Sequence, residues 1–269
     1  MTQPSIGSCL SSLRESTPLI HCITNYVAMN STANVLLAAE ASPAMLHATQ
    51  EVAEFTQLAD ALSVNIGTLS PPWVEAMQLA THTADTHATP WVLDPVAVGA
   101  TRYRQTVCAD LLAHRPSVIR GNASEILALN GLAHQGRGVD ATAATEDALA
   151  AAMALAEQHR CVVAMTGERD LVTDGHQYYT INGGHPLMPR VTTLGCALSA
   201  LVAAFVAATP GKPLLATSAA VASFALAGQR AGATAAGPGS FYVAFLDALY
   251  QLTPDDLSHF AQHEVTHAA

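Results

Sequence analysis

Short, continuously apolar runs alternate with longer helical runs along most of this chain, and that alternation limits its possible folds more than any other feature. Strand candidates lie at residues 18–23, 44–46, 61–66, 91–96, 117–120 and 162–166. Most are apolar at successive positions rather than every second one, as expected for strands covered on both faces. Helices with readable start signals lie between them. Asn25 would cap a helix over 26–39, and Ser70-Pro71-Pro72 precedes one over 73–84. Asn122 would cap 123–130, and 140–157 forms a long alanine-rich helix. Strand and helix in alternation predict right-handed βαβ units, and therefore an α/β fold with a doubly wound, mostly parallel sheet flanked by helices.

The pattern changes after Thr166. Residues 171–173 and 177–181 read as a hairpin with an Asp174-Gly175 turn, and 182–186 as a loop. Helices then follow at 195–208, 214–231 and 239–252. The stretch from Pro254, with His259, His263 and His267, reads as a polar, frayed tail. Its four-residue histidine spacing looks metal-like, but a solvated helix or disordered tail accounts for it better. With no linker long enough to divide two cores, residues 1–269 are expected to form one domain, its core spanning about 18–252 and its ends flexible.

Only 12% of the 269 residues are charged, about half the usual share. Much helix surface must therefore be buried, and a subunit interface would absorb some of the remainder. A net charge of −10 argues against nucleic acid or an anionic membrane as partner. Five scattered cysteines, odd in number and without a C-x-x-C pair, suggest reduced thiols in a cytoplasmic protein, and residues 1–13 show no secretory pattern. The uncharged stretches 194–209 and 214–228 are each short of the roughly 20 residues a membrane span needs. Two helices inside a protein core explain them better.

In open parallel sheets, ligands gather at the carboxyl ends of the strands. The polar residues ending these strands are Asn25, Asn65, Gly67, Thr68, Asp94, Arg120, Asn122, Glu125, Thr166 and Glu168. Beside them stands Thr193-Leu194-Gly195-Cys196, a turn opening a helix. Such a start aims free N–H groups and the positive end of the helix dipole at one point, a seat for phosphate, and the same field would favour a Cys196 thiolate. Asp94 and Glu125 could together hold Mg²⁺ beside phosphates, or could cap a loop and a helix. Arg120 could grip phosphates or pair with an acid, and Thr166 could hold a phosphate or cap its turn. No G-x-x-x-x-G-K-[ST], G-x-G-x-x-G after a strand, or G-x-S-x-G is present, which disfavours P-loop ATPases, dinucleotide enzymes and serine hydrolases. His21, His47 and His185 read as structural.

Several segments resemble the hydroxyethylthiazole kinase family. They are Ile20-His21-Cys22-Ile23-Thr24-Asn25-Tyr26, Ala41-Ser42-Pro43-Ala44-Met45, Asn65-Ile66-Gly67-Thr68, Leu93-Asp94-Pro95-Val96-Ala97-Val98-Gly99-Ala100, Ile119-Arg120-Gly121-Asn122-Ala123-Ser124-Glu125-Ile126 and Thr166-Gly167-Glu168. The resemblance runs from about residue 18 to 252 in the family's order. It implies a ribokinase-like fold and ATP- and Mg²⁺-dependent phosphorylation of the thiazole's hydroxyethyl group, a salvage step towards thiamine phosphate. It also implies a homotrimer with sites at subunit interfaces. By the same resemblance Asn25, Met45, Gly67, Thr68 and Thr193 would contact the thiazole, and Arg120, Asn122, Thr166 and Gly195 would contact ATP. Asp94 and Glu125 would serve metal and phosphates, and Cys196 would occupy the place of the catalytic aspartate of related sugar kinases. The family reads Gly-Thr-Gly-Cys where this chain reads Thr193-Leu194-Gly195-Cys196. A β-branched Thr193 does not freely take the positive φ that glycine allows. A binding protein without catalysis and a kinase for a pyrimidine alcohol are the competing readings.

Overall fold

The structure, a computed structural model, describes residues 5–131 and 141–268, with side chains from Asp147 onward in the second span. The chain begins with α1 (Ile6–Ser16) and β1 (Leu19–Ile23), followed by α2 (Met29–Ala38), β2 (Ser42–Ala44) and α3 (Val52–Leu58). Then come β3 (Ala61–Asn65), α4 (Pro71–His87), β4 (Trp91–Asp94), α5 (Arg102–Leu112) and β5 (Val118–Asn122). Next are α6 (Ala123–Leu129), α7 (Ala141–His159), β6 (Val162–Thr166), β7 (Asp170–Thr173) and β8 (Tyr178–Ile181). The remaining helices are α8 (Leu194–Ala208), α9 (Pro213–Gly232), α10 (Pro238–Gln251) and α11 (Pro254–Glu264), and β9 (Val265–Ala268) ends the described chain.

One sheet runs in the order β2-β1-β3-β4-β5-β6-β7-β8-β9. Its first six strands are parallel and the last three antiparallel. Because β1 pairs with both β2 and β3, the chain leaves β1 for one edge and returns to build towards the other. That reversal opens a crevice at the carboxyl ends of the central strands. Successive strand residues pack into opposite layers, which is why the strands read as continuous apolar runs. Val92, Val118 and Val162 join the layer containing α1, α2, α8 and α9, while Leu93, Ile119 and Val163 join the layer of α3 to α7. α8 is nearly all Ala, Leu and Val, and only its first turns carry polar groups into the crevice. No described helix is long and apolar enough to cross a membrane.

The structure moves several expected boundaries. β2 covers Ser42–Ala44 instead of 44–46, a three-residue edge strand in which Pro43 needs no ladder donor. α2 starts at Met29, because the Asn25 side chain accepts from Ala28 N–H at 3.0 Å and closes a turn before the helix. The Asn122 cap of α6 and the Asp174-Gly175 turn stand as expected, Gly175 having φ 95°.

Both ends of the described chain pack onto the core. α1 buries Ile6, Cys9, Leu10 and Leu13, and Arg14 donates to Leu252 O at 2.6 Å. In place of a frayed tail, Thr253 and Asp256 form a capping box that starts α11, which buries Leu257 and Phe260. β9 then pairs with β8, and His267 stacks on Tyr179 at 4.5 Å. The three tail histidines therefore belong to a helix and a strand, and no cluster of three metal-ligating side chains occurs among the described residues.

Candidate active site

Three strand ends and the start of α8 meet in the crevice. Asn65 ends β3 and is buried; its Oδ1 accepts from Asn25 Nδ2 and from Gly67 N–H, both at 2.9 Å, and its Nδ2 donates to Asp94 Oδ2 at 2.6 Å. Ser199, on α8, donates to that same Asp94 oxygen at 2.8 Å. Asp94 Oδ1 is buried without a partner. Burial pushes the Asp94 carboxyl up to about 6, opposed by the Arg120 charge and by the Ser199 and Asn65 hydrogen bonds. Asp94 is thus a carboxylate with one oxygen held in place and the other free.

On the next residues of the same helix face, Asn25 Nδ2 donates to Cys196 Sγ at 3.4 Å. Burial and the neighbouring Asp94 charge push the Cys196 thiol above its ordinary value, against weaker opposition from Asn25, Asn65 and Arg120. The expectation of a thiolate stabilised by the helix start is therefore corrected: the neutral thiol is the favoured form. A Cβ at Gly67 would stand 2.7 Å from Asn25 Nδ2, so this turn requires glycine for close approach. Tyr26 N–H donates to Thr68 Oγ1 at 3.2 Å, tying the Asn25 and Gly67 turns together. Met45 follows β2 and is half-buried against the α8 layer.

Beyond Gly195 the character of the crevice changes. A cavity of about 740 Å³ opens there, lined among others by Arg120, Asn122, Thr166, Gly167, Asp170, Thr193 and Gly195. Arg120 Nη2 donates to Thr166 Oγ1, and Arg120 Nε is buried without a partner. A Cβ at Gly195 would lie 2.8 Å from Arg120 Nη1, so glycine is what lets the guanidinium rest on the helix start. A cation beside the positive end of a helix is unfavourable unless an anion joins them. Thr193 takes φ 71°, the conformation that a glycine would adopt freely. Its hydroxyl meets Ser31 Oγ and Thr192 O, which helps to hold the turn in spite of the β-branch. Thr193 therefore holds a positive φ in this turn.

Two expected site residues have structural work. Glu125 accepts from Ala97 N–H at 2.9 Å through Oε1 and from Asn122 N–H at 2.8 Å through Oε2. Asn122 Oδ1 accepts from Glu125 N–H at 3.0 Å, completing a capping box, while the residue still lines the cavity. Both Glu125 oxygens are thus engaged by backbone, the capping use open to it from the sequence. His21 is structural, bridging Thr56 Oγ1 and Leu46 O at 3.0 Å each, and burial lowers it to about 4. Ser199 and Asp170 escaped the sequence reading. Ser199 stands one helical turn from Cys196 and so shares its face. Asp170, pushed up to about 6 by burial, accepts from Gly167 N–H at 3.0 Å and holds the turn after β6.

Comparison with known proteins places this geometry. The sequence model of the hydroxyethylthiazole kinase family matches residues 10–255. A hydroxyethylthiazole kinase of Cereibacter sphaeroides is 55% identical over 96% of this chain and 98% of its own length. One from Rhizobium johnstonii is 53% identical over 95% and 96%. Among solved structures, a hydroxyethylthiazole kinase protein from Pyrococcus horikoshii OT3 superposes with a TM-score of 0.89 at 40% identity, covering 98% of this chain and 99% of that one. A pyridoxal kinase from Staphylococcus aureus in complex with ADP shares the fold alone, with a TM-score of 0.60 at 16% identity and 79% of this chain covered. The fold is ribokinase-like, and the chain belongs to the hydroxyethylthiazole kinase family.

Proposed function

We propose that this chain transfers the γ-phosphoryl group of ATP to the hydroxyl of hydroxyethylthiazole, with Mg²⁺, in a salvage step of thiamine synthesis. One observation carries the reading: the first turns of α8 touch all three parts of the site. Gly195 lies under Arg120, Cys196 meets Asn25, and Ser199 holds Asp94. ATP would lie in the cavity beside Arg120, Asn122 and Thr166, with its terminal phosphate at the N–H groups of Gly195 and Cys196, which have no acceptor one turn back. The thiazole would lie near Asn25, Met45, Gly67, Thr68 and Thr193.

The hydroxyl oxygen attacks Pγ in line, the bond to the β-phosphate oxygen breaks, and ADP leaves. The transition state is loose, so the hydroxyl proton departs late, to an oxygen of the transferred phosphoryl group or to water, and positioning outweighs a strong base. The neutral Cys196 thiol, fixed by Asn25, suits a hydrogen-bonding contact to that hydroxyl. The unpartnered Asp94 Oδ1 fits a metal ligand, because Mg²⁺ takes one or two carboxylates and fills its other positions with water and phosphate oxygens. Once bound, the ion would neutralise charge developing on the phosphates. Glu125 adds charge nearby while holding Ala97 and Asn122 in place.

The exposed Tyr26, Val27 and Leu37, at and beyond the Asn25 turn, support a homotrimer with sites at the subunit interfaces. A reduced cytoplasmic setting suits the five free cysteines. The test is ADP release from ATP and Mg²⁺ on adding hydroxyethylthiazole. Release dependent on the thiazole, and not on a pyrimidine alcohol, is expected; no release despite thiazole binding would favour the binding-protein reading.

A further inference from the structure

Arg104, on the first turn of α5, has no carboxylate within ion-pair distance among the described residues. Its guanidinium is instead taken up by backbone carbonyls of two separate strand-end loops. Nη1 donates to Ile66 O at 2.6 Å and to Val96 O at 2.7 Å, and Nη2 donates to Gly67 O at 2.7 Å. The first loop follows β3 and carries Gly67 and Thr68. The second follows β4, and its Val96 lies two residues beyond Asp94.

Each loop is held on its other side by the site. Gly67 N–H donates to Asn65 Oδ1, and Thr68 Oγ1 accepts from Tyr26 N–H, so the first loop is fixed to the Asn25 turn. Ala97 takes φ 54° and donates its N–H to Glu125. Between the loops, Ile66 N–H donates to Asp94 O at 3.2 Å, and past that point the sheet provides no further ladder. Arg104 replaces the missing ladder. A planar fork with fixed donor directions can span two loops in a way a single ammonium cannot.

We propose that Arg104 is a positioning residue that sets the distance between the acceptor-binding turn Gly67-Thr68 and Asp94. This rests on the kinase reading above for what the turn binds, but the clamp can be tested without it. Arg104→Met keeps the apolar stem and removes the fork, and Arg104→Lys keeps the charge. In both variants, hydrogen exchange should speed up at residues 66–68 and 96–98 together, with residues 120–122 and 194–196 unchanged. For turnover, kcat should fall about a hundredfold, as expected when reacting groups move by about 1 Å. KM for hydroxyethylthiazole should rise while KM for ATP stays within about twofold, because neither loop lines the cavity proposed for the nucleotide. Added guanidinium should restore part of the kcat of Arg104→Met, which a general loss of stability would not allow. Unchanged exchange in both loops, or equal rises in the two KM values, would overturn the proposal. If the wild-type protein shows no thiazole-dependent ADP release, the substrate reading fails, and the exchange measurement still decides the clamp.

Discussion

On the acceptor side of α8 most polar atoms already have partners within the chain, whereas on the nucleotide side several donors have none. Asn25, Asn65, Ser199 and Asp94 form a connected network with a single open atom, Asp94 Oδ1. Across Gly195, Arg120 Nε is buried without a partner beside a helix start. The acceptor side is arranged in advance, and a small neutral molecule entering it need reorganise little. The nucleotide side sets the Arg120 guanidinium beside the free N–H groups of the α8 start, donors that an incoming anion would engage, in a chain of net charge −10.

Removing the one open acceptor should have the largest effect. Asp94→Asn keeps the shape and removes the charge, and kcat should fall about 10²–10³-fold, as for loss of one preorganised electrostatic contact. The Asp94 carboxyl is raised to about 6, so wild-type kcat/KM should fall as the pH drops through that value and the free oxygen is protonated. Asp170 is also raised to about 6, so the comparison must separate them. The acid limb should persist in Asp170→Asn and vanish from the residual activity of Asp94→Asn. For stability the sign is opposite to that of an ion-paired acid. Between the unfolded value near 4 and about 6 the folded state holds more protons, so this group's contribution declines as the pH rises through that window.

The nucleotide side should respond next. Gly195→Ala puts a Cβ 2.8 Å from Arg120 Nη1 and must displace the guanidinium. KM for ATP should rise at least about tenfold, the loss of roughly one charge-assisted hydrogen bond, with KM for the thiazole little changed. Equal changes in both constants would mean that the two halves are not separable. Cys196 lies on the boundary. Because its thiol is held above its ordinary value, alkylation by iodoacetamide should be slower at pH 7 than that of an ordinary exposed thiol, and its rate should keep climbing with pH after an ordinary thiol has levelled off. Cys196→Ala should lower kcat, and Cys196→Asp should retain or raise it; full activity in both would remove Cys196 from the reaction. The smallest effect is expected from Thr193-Leu194→Gly-Thr. Relief of positive φ offsets loss of the Ser31 contact, so KM for ATP should improve by less than about threefold. A large improvement would show that the turn is strained in a way its backbone does not reveal.

The strands were readable because each lies between two apolar layers, so that residues such as Val162 and Val163 are both buried on opposite faces. β2 was misplaced because a three-residue edge strand with a proline carries no such pattern. The start of α11 is legible, because Thr253-Pro254-Asp255-Asp256 has the residues of a capping box. Within the site, residue types identified the acids, amides and glycines that end strands. They could not show that Glu125 would commit both oxygens to backbone N–H groups, or that Asn25 would close a turn before its helix. Arg104 was invisible for a related reason. Its partners are carbonyl oxygens as far as 38 residues away, and every residue type carries one.

The account stands on ATP and the acceptor meeting at the start of α8, which a crystal of the protein with Mg²⁺, hydroxyethylthiazole and a non-hydrolysable ATP analogue would show directly. The terminal phosphate should lie on the N–H groups of Gly195 and Cys196, with Arg120 on one side and the ion on Asp94 Oδ1 on the other. A nucleotide bound with its phosphates pointing away from α8, or outside the cavity beside Thr166, would contradict it.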